Sequence, residues 1–145
     1  MIVAMSSIGG RLGLPFQSFY SASKFAVEGF CEALRIETRR AGVKVVVIEP
    51  GDFSTSFTSK RIKSVGTDVA QAYPEYAESM KGIEHDEEKG LKPGVLADKV
   101  RRIVMMKHPH QRYIVASPLQ KASVFLKGIL PPCLFSRLLG LFYGV

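Results

Sequence analysis

Residues 7–24 read SIGGRLGLPFQSFYSASK, and the rest of the chain is organised around this stretch. Tyr20 and Lys24 are four residues apart, so on a helix they share one face. A neighbouring ammonium favours ionisation of a phenol, and we expect Lys24 to lower the pKa of Tyr20 toward neutrality. Ser7 adds a hydroxyl that can hydrogen-bond a reacting carbonyl or alcohol oxygen. The stretch therefore predicts acid–base chemistry on such an oxygen, the alternative being an ordinary surface pair.

The segments on either side of this stretch predict a strand, a helix and a second strand. Residues 1–5, MIVAM, form a short apolar run that is typical of a buried parallel strand. Apolar residues recur at helical spacing from Ser18 to Arg40, and Ala41-Gly42 supplies a stop. Val43–Glu49 is a second β-branched run. Such a βαβ unit predicts an α/β fold with a parallel sheet and ligands beyond the carboxyl ends of its strands.

The motif and its spacing closely resemble the active-site segment of the short-chain dehydrogenase/reductase family. That family pairs a Ser with a Tyr about thirteen residues later and a Lys four beyond it, which here are Ser7, Tyr20 and Lys24. Pro50–Thr55, PGDFST, resembles the family's Pro-Gly turn after the next strand. The resemblance implies the C-terminal part of a Rossmann-like, doubly wound parallel sheet. The N-terminal cofactor-binding half of that fold is absent from these residues.

The resemblance also implies a reaction and a role for each residue. The reaction is an NAD- or NADP-dependent interconversion of a secondary alcohol and a carbonyl. Tyr20 acts as acid and base, Lys24 lowers its pKa and contacts the cofactor ribose, and Ser7 steadies the substrate oxygen. The flanking sequence is most similar to 17β-hydroxysteroid and retinol dehydrogenases, which implies a steroid, retinoid or lipid-like substrate. The expected cofactor-binding residues are Tyr20, Lys24, Pro50, Gly51, Phe53 and Thr55.

The whole chain, residues 1–145, is expected to form one partial domain with three segments. Residues 1–60 carry the catalytic strand–helix–strand unit, and residues 61–110 form the substrate loop and helix region. Residues 111–145 supply a last strand and apolar C-terminal helices. Within these segments we expect helices over 69–83, bent at Pro74, and over 93–107, a strand over 112–116, and two short helices separated by Pro131-Pro132.

Composition narrows the class of protein and its surroundings. The chain is 46% hydrophobic and 23% charged, as in globular domains, with a net charge of +7. Basic residues are spread in pairs without a long run, which argues against nucleic acid as a partner. Cys31 is expected to be a buried thiol, and we predict a reducing, cytoplasmic location. The spacing of His108 and His110 suits a loop and no metal site.

Two further interpretations remain open at this stage. The apolar tail is too interrupted to span a bilayer, yet Lys121, Lys127 and Arg137 beside it are typical of peripheral membrane contact. The helix over 18–40 is expected to pair with a second copy and form a homo-oligomer, as in the family. The alternative function is that of a truncated, catalytically inactive fragment that acts only as an oligomerisation or interaction module.

Overall fold

The sheet of this protein is parallel and is built around its middle strand. A computed structural model describes residues 1–61 and 72–145. Within these ranges three strands, Ile2–Met5 (β1), Val45–Pro50 (β2) and Arg112–Val115 (β3), lie in the order β1-β2-β3. Ile2 pairs with Val45, and Val47 pairs with Arg112. The α/β fold with a parallel sheet is thus confirmed.

Helices follow each strand of the sheet. The helices of the described ranges are Ser18–Glu37 (α1), Tyr76–Glu88 (α2), Pro93–Val104 (α3), Pro118–Lys127 (α4) and Pro132–Tyr143 (α5). Short 3₁₀ turns cover Ile8–Gly10, Arg39–Ala41 and Thr58–Lys60. Pro occupies the first turn of α3, α4 and α5, where its missing N–H costs no hydrogen bond.

Most predicted bounds agree with the structure, and one helix differs. Gly42 follows the 3₁₀ turn after α1 with φ of 69°, the left-handed conformation that favours glycine at a helix stop. The helix expected over 69–83 with a bend at Pro74 is helical at Ala72, is interrupted at residues 73–75, and resumes as Tyr76–Glu88, beyond its expected end. Residues 69–71 of that prediction lie outside the described residues.

The core lies on both faces of β2, whose residues Val45–Glu49 are all buried. Val46 and Ile48 pack with Ile103 of α3 on one face. Val45 and Val47 pack with Cys31 of α1 on the other, which confirms the buried thiol. β-branched side chains fill a sheet covered on both faces, so the arrangement is doubly wound.

Most of the apolar face that the periodicity of α1 identifies does not face the sheet. Phe19, at 91% exposed, and Phe30 are among its exposed residues, whereas Leu34 packs against the cluster of Cys31, Val45 and Val47. The side of α1 toward the sheet instead carries Ser21, Glu28 and Cys31. A helix usually buries its apolar stripe. Here that stripe is available to another surface.

The two C-terminal helices pack against the carboxyl ends of the strands. Val124 of α4 and Phe135 of α5 join Ile8, Leu12 and Ala116 in one buried cluster. Ser117 starts α4 with a capping box, in which it and Gln120 satisfy each other's backbone N–H groups. In the described ranges no helix is long and apolar enough to cross a membrane.

Candidate active site

A cavity of about 710 Å³ lies at the carboxyl ends of the strands. The position agrees with the rule that parallel sheets bind ligands beyond these ends. Every residue to which the sequence assigned a catalytic or cofactor-binding role borders this cavity. These residues are Ser7, Tyr20, Lys24, Pro50, Gly51, Phe53 and Thr55.

Ser7 is fixed at the end of β1 by backbone contacts. Its Oγ accepts a hydrogen bond from the Gly9 N–H at 3.0 Å and caps the 3₁₀ turn. It also donates to the Pro50 carbonyl at 3.4 Å, a long contact. The same hydroxyl proton can turn from Pro50 to the Tyr20 phenol, a hydrogen bond that lowers the pKa of Tyr20. Because the contact with Pro50 is long, the Ser7 hydroxyl proton is held weakly while its oxygen is fixed. The hydroxyl can therefore rotate to donate to another acceptor in the cavity.

Tyr20 lies in the first turn of α1 and projects toward Ser7. Gly9 leaves room for its ring, since a Cβ at that position would lie 3.0 Å from Tyr20 Cε1. Burial raises the pKa of Tyr20 above its ordinary value, although the hydrogen bond from Ser7 lowers it in part. The carboxylates of Glu87 and Asp52 raise it further. In this chain the phenol is therefore held protonated.

The direction of this shift is opposite to the expected lowering by Lys24. The Lys24 ammonium lies 5.6 Å from the centroid of the Tyr20 ring and donates to the Met5 carbonyl at 3.2 Å. The Met5 carbonyl thus holds the Lys24 ammonium beside the ring. Burial and the nearby carboxylates, however, dominate the pKa of the phenol. Lys24 and Tyr20 do share a helix face, as predicted.

The Pro-Gly turn closes the opposite side of the cavity. The Gly51 N–H donates to the Val115 carbonyl at 3.0 Å, which extends the β2–β3 ladder past Pro50. A Cβ at Gly51 would lie 2.2 Å from Gln120 Oε1, so only glycine fits. Phe53 forms an isolated bridge to Leu91. The Thr55 hydroxyl accepts from the Phe57 N–H at 3.2 Å and is exposed.

Asp52 is a cavity residue to which the sequence analysis gave no role. Its Oδ2 accepts a hydrogen bond from Gln120 Nε2 at 2.6 Å. Burial raises the pKa of Asp52 to about 6, and the charges of Glu87 and Asp86 add to this effect. The pattern Ser117-x-x-Gln120 is a readable capping-box signal. It could have placed Gln120 at a helix start, but it does not reveal the contact with Asp52.

A polar cluster follows Asp52 along the cavity wall. Glu87 of α2 accepts from the Thr58 hydroxyl at 2.6 Å and pairs with Arg61. Burial raises the pKa of Tyr143, which also borders the cavity, to about 12, and nearby carboxylates contribute. The acidic stretch of α2, which belongs to the segment expected to form the substrate loop and helix region, thus supplies one wall of the cavity.

The remaining wall is apolar and comes from the C-terminal helices and the loop between them. Leucine and phenylalanine side chains predominate there, as in pockets for hydrophobic ligands. They are Leu119, Leu126, Leu130, Phe135, Leu138, Leu139 and Phe142.

A second charged cluster lies behind the site, on the α1 face of the sheet. Arg112 Nε lies 3.0 Å from Glu28 Oε2 and 3.7 Å from Glu49 Oε1, and its Nη2 contacts Glu32 at 2.6 Å. Arg11 Nη1 reaches Glu49 at 3.3 Å. Glu49 is fully buried, and burial raises its pKa. The cluster ties α1, which carries Tyr20, to the strands on which the Pro-Gly turn depends.

The donor set of the cavity fits the nicotinamide end of a dinucleotide. Tyr20 and Lys24 offer a hydroxyl and an ammonium on one side, suited to ribose hydroxyls. Gly51 and Thr55 offer backbone and hydroxyl groups on the other, suited to a carboxamide. The loop GGRLG at residues 9–13 lacks the G-x-G-x-x-G order of a dinucleotide-binding turn. The residues of the cavity therefore fit the nicotinamide end of the cofactor, and the GGRLG loop does not supply a turn for its pyrophosphate.

Comparison with known proteins identifies similar chains. A family model described as short chain dehydrogenase matches residues 1–66. The 3-ketodihydrosphingosine reductase of Bacteroides thetaiotaomicron is 40% identical over 99% of this chain and 54% of its own length. The 17-beta-hydroxysteroid dehydrogenase type 1 of Mus musculus is 42% identical over 49% of this chain and 21% of its own.

A solved structure is similar as well. The short-chain dehydrogenase from Streptomyces avermitilis aligns with a TM-score of 0.61 and 28% identity, over 87% of this chain and 44% of that one. Nearly all of this chain matches the 3-ketodihydrosphingosine reductase, and it spans about half of that protein's length.

Proposed function

Because the chain belongs to the short-chain dehydrogenase/reductase family, we propose that it carries the proton-transfer site of a nicotinamide-dependent oxidoreductase. The reaction is the interconversion of a secondary alcohol and a carbonyl. The observation that carries the proposal is the convergence of Ser7, Tyr20, Lys24 and the Pro-Gly turn on one cavity.

Tyr20 exchanges a proton with the substrate oxygen in this proposal. Its raised pKa keeps the phenol protonated at neutral pH, which suits donation to a carbonyl oxygen that gains negative charge. Ser7, already a hydrogen-bond partner of Tyr20, holds the same oxygen. Together the two hydroxyls stabilise the oxygen where its charge develops.

Lys24 and the Pro-Gly turn hold the cofactor, NAD or NADP. When bound, the nicotinamide supplies or accepts the hydride. The Lys24 ammonium, which donates to the Met5 carbonyl at 3.2 Å, has further N–H groups for a ribose hydroxyl. Pro50, Gly51, Phe53 and Thr55 bind the carboxamide side, the role that the Pro-Gly turn has in the family.

The substrate of the proposed reaction is hydrophobic. The apolar wall of the cavity, formed by α4, α5 and the loop between them, suits a long-chain or polycyclic alcohol or ketone. The names of two similar proteins are consistent with this class, a ketodihydrosphingosine reductase and a hydroxysteroid dehydrogenase.

The test begins with NADH and NADPH binding, measured by fluorescence, followed by turnover of a long-chain ketone. Tyr20→Phe should lower kcat by about 100-fold or more while cofactor binding persists. Tyr113→Phe is the matched control. Tyr113 lies on β3, away from the cavity, and its hydroxyl accepts from the His110 N–H and contacts the Met106 sulfur. Full turnover by Tyr20→Phe would contradict the proposal.

A second candidate function, assembly without catalysis, rests on the exposed apolar face of α1. Phe19 and Phe30 on this face would bury against a second copy and form a homo-oligomer. Sedimentation velocity of the chain and of Phe19→Ser/Phe30→Ser tests this. We expect an oligomer that the double variant dissociates. A folded monomer that binds cofactor would count against the assembly function.

A further inference from the structure

The last part of the chain carries one sign of charge. From Lys99 to Val145 the sequence has eight Lys or Arg residues and no Asp or Glu. All thirteen acidic residues therefore lie before this segment. Arg101 and Arg112 of this segment pair with acidic residues of the first part, whereas Lys121, Lys127 and Arg137 lie at exposed positions of α4 and α5. A single-sign surface attracts an oppositely charged partner.

Apolar side chains are exposed on the same helices. On α4, Phe125 is 68% exposed and lies one turn from Lys121. On α5, Leu141 is 71% exposed and lies one turn from Arg137. Residues three or four apart share a helix face, so each helix presents its cation beside its large apolar group. We call the outer faces of α4 and α5 with these residues the C-terminal surface.

We propose that the C-terminal surface binds the anionic face of a lipid bilayer. Amphipathic helices with Lys or Arg beside large apolar residues lie in the bilayer interface, with their apolar side chains among the acyl chains. Each Lys or Arg near an anionic leaflet adds to the attraction. The C-terminal surface has both components.

A second copy of the chain is a poorer occupant of this surface. A symmetric dimer would place the same basic patch on both partners, and like charges that face each other across an interface oppose association. Helix α1 differs in this respect, since it carries the acidic residues Glu32 and Glu37 as well as the basic residues Lys24 and Arg35. The two apolar surfaces therefore suit different partners.

Membrane binding would bring the cavity to the bilayer. Leu126 and Leu138 line the cavity and are also exposed, so the apolar wall of the site continues into the C-terminal surface. A hydrophobic substrate could then pass from lipid to site with little exposure to water. This step rests on the proposed function, whereas the binding itself does not.

The test is co-sedimentation of the chain with vesicles of phosphatidylcholine alone or mixed with phosphatidylserine. We expect binding to the mixed vesicles that weakens steeply with added salt, and little binding to the neutral ones. This comparison requires no variant. No binding to the mixed vesicles, or equal binding to both kinds, would overturn the proposal.

Two pairs of matched variants locate the contact, each checked for folding by circular dichroism. Lys121→Glu/Arg137→Glu should weaken binding at least about 10-fold. Arg39→Glu/Arg40→Glu, with the same change in net charge, should bind as the parent does. Phe125→Ser/Leu141→Ser should also lose about 10-fold, and Phe19→Ser/Phe30→Ser should not.

Other outcomes would assign the surface elsewhere. Equal losses in the control pairs would show that total charge or hydrophobicity, and not the C-terminal surface, drives binding. Loss of self-association in Phe125→Ser/Leu141→Ser with unchanged vesicle binding would assign the surface to a second copy. Either result overturns the proposal and leaves the proposed oxidoreductase function untouched.

Discussion

Two carboxyl groups, the buried Glu49 and the partly exposed Asp52, are three residues apart and have different surroundings. Glu49 lies near the end of β2 on the α1 face of the sheet, where Arg11 and Arg112 approach it. Asp52 follows the strand and faces the cavity, where its hydrogen-bond donor is the neutral amide of Gln120. Burial raises both pKa values, that of Asp52 to about 6. Arg11 and Arg112 oppose this rise at Glu49, whereas the hydrogen bond from Gln120 and the charge of Arg61 oppose it at Asp52.

Removal of Arg112, the cation that Glu28 and Glu49 share, should have the largest effect. Arg112→Ala leaves Glu28, which is 5% exposed, and the fully buried Glu49 without this cation. We expect a loss of about 3–5 kcal/mol in the free energy of unfolding, because an uncompensated buried charge is costly. Urea denaturation measures this loss.

A control for this prediction is Arg101→Ala. Arg101 pairs with Asp98 on the exposed side of α3, and such pairs contribute less than about 1 kcal/mol. Equal losses in the two variants would mean that burial of the Arg112 cluster does not matter to stability.

Gly51 separates the two carboxyl groups, and its substitution should have an intermediate effect. In Gly51→Ala the added Cβ would meet Gln120 Oε1 and Ala116 Cβ, so Gln120 must move away from Asp52. We expect a loss of about 1–3 kcal/mol in the free energy of unfolding and a shift in the titration of Asp52.

Gly82→Ala in α2 is the matched control, because nothing lies within 4 Å of an added Cβ there. That variant should gain up to about 1 kcal/mol from helix propensity. If Gly51→Ala gained stability as well, the close approach of Gln120 would have no energetic role.

The smallest effect concerns the pH dependence of Asp52. Because its folded pKa is raised from 3.8 to about 6, the folded state holds a proton that the unfolded chain releases. Its contribution to stability is therefore fully present below about pH 4 and is lost as the pH rises toward 6. The loss is roughly 1 kcal/mol after allowance for solvent screening of a partly exposed group.

Asp52→Asn removes this ionisation. We expect its stability relative to the parent to rise between pH 4 and 6 and then stay level, as measured by thermal unfolding across that range. Glu37→Gln, at an exposed position of α1, serves as the control for loss of a carboxylate. A constant difference between Asp52→Asn and the parent would contradict the raised pKa.

The parts of the site that are local in sequence could be predicted. Ser7, Tyr20 and Lys24 belong to one short motif, and the Pro-Gly turn follows a strand that its β-branched residues make recognisable. Only a 3₁₀ turn and a short loop connect Ser7 to Tyr20. Few conformations of so short a connection are possible, so the two side chains are expected to lie near each other. The βαβ pattern likewise determined the parallel sheet.

Contacts between distant residues could not be predicted in the same way. Asp52 meets Gln120, and Glu49 meets Arg112, only after the sheet has formed. The upward shift of the Tyr20 pKa depends on such neighbours, which is why the expected lowering by Lys24 was wrong in direction. Periodicity also identified the apolar face of α1 but not what that face contacts.

The register of the sheet has a consequence for the order of folding. Ile2 pairs with Val45, and Val47 pairs with Arg112, so each strand meets a partner more than forty residues away. Closing such long loops costs chain entropy before any strand contact compensates for it. Proteins with pairings of this kind fold slowly. We therefore expect α1, whose hydrogen bonds are local, to form early, and the candidate site to be complete only when the last strand joins.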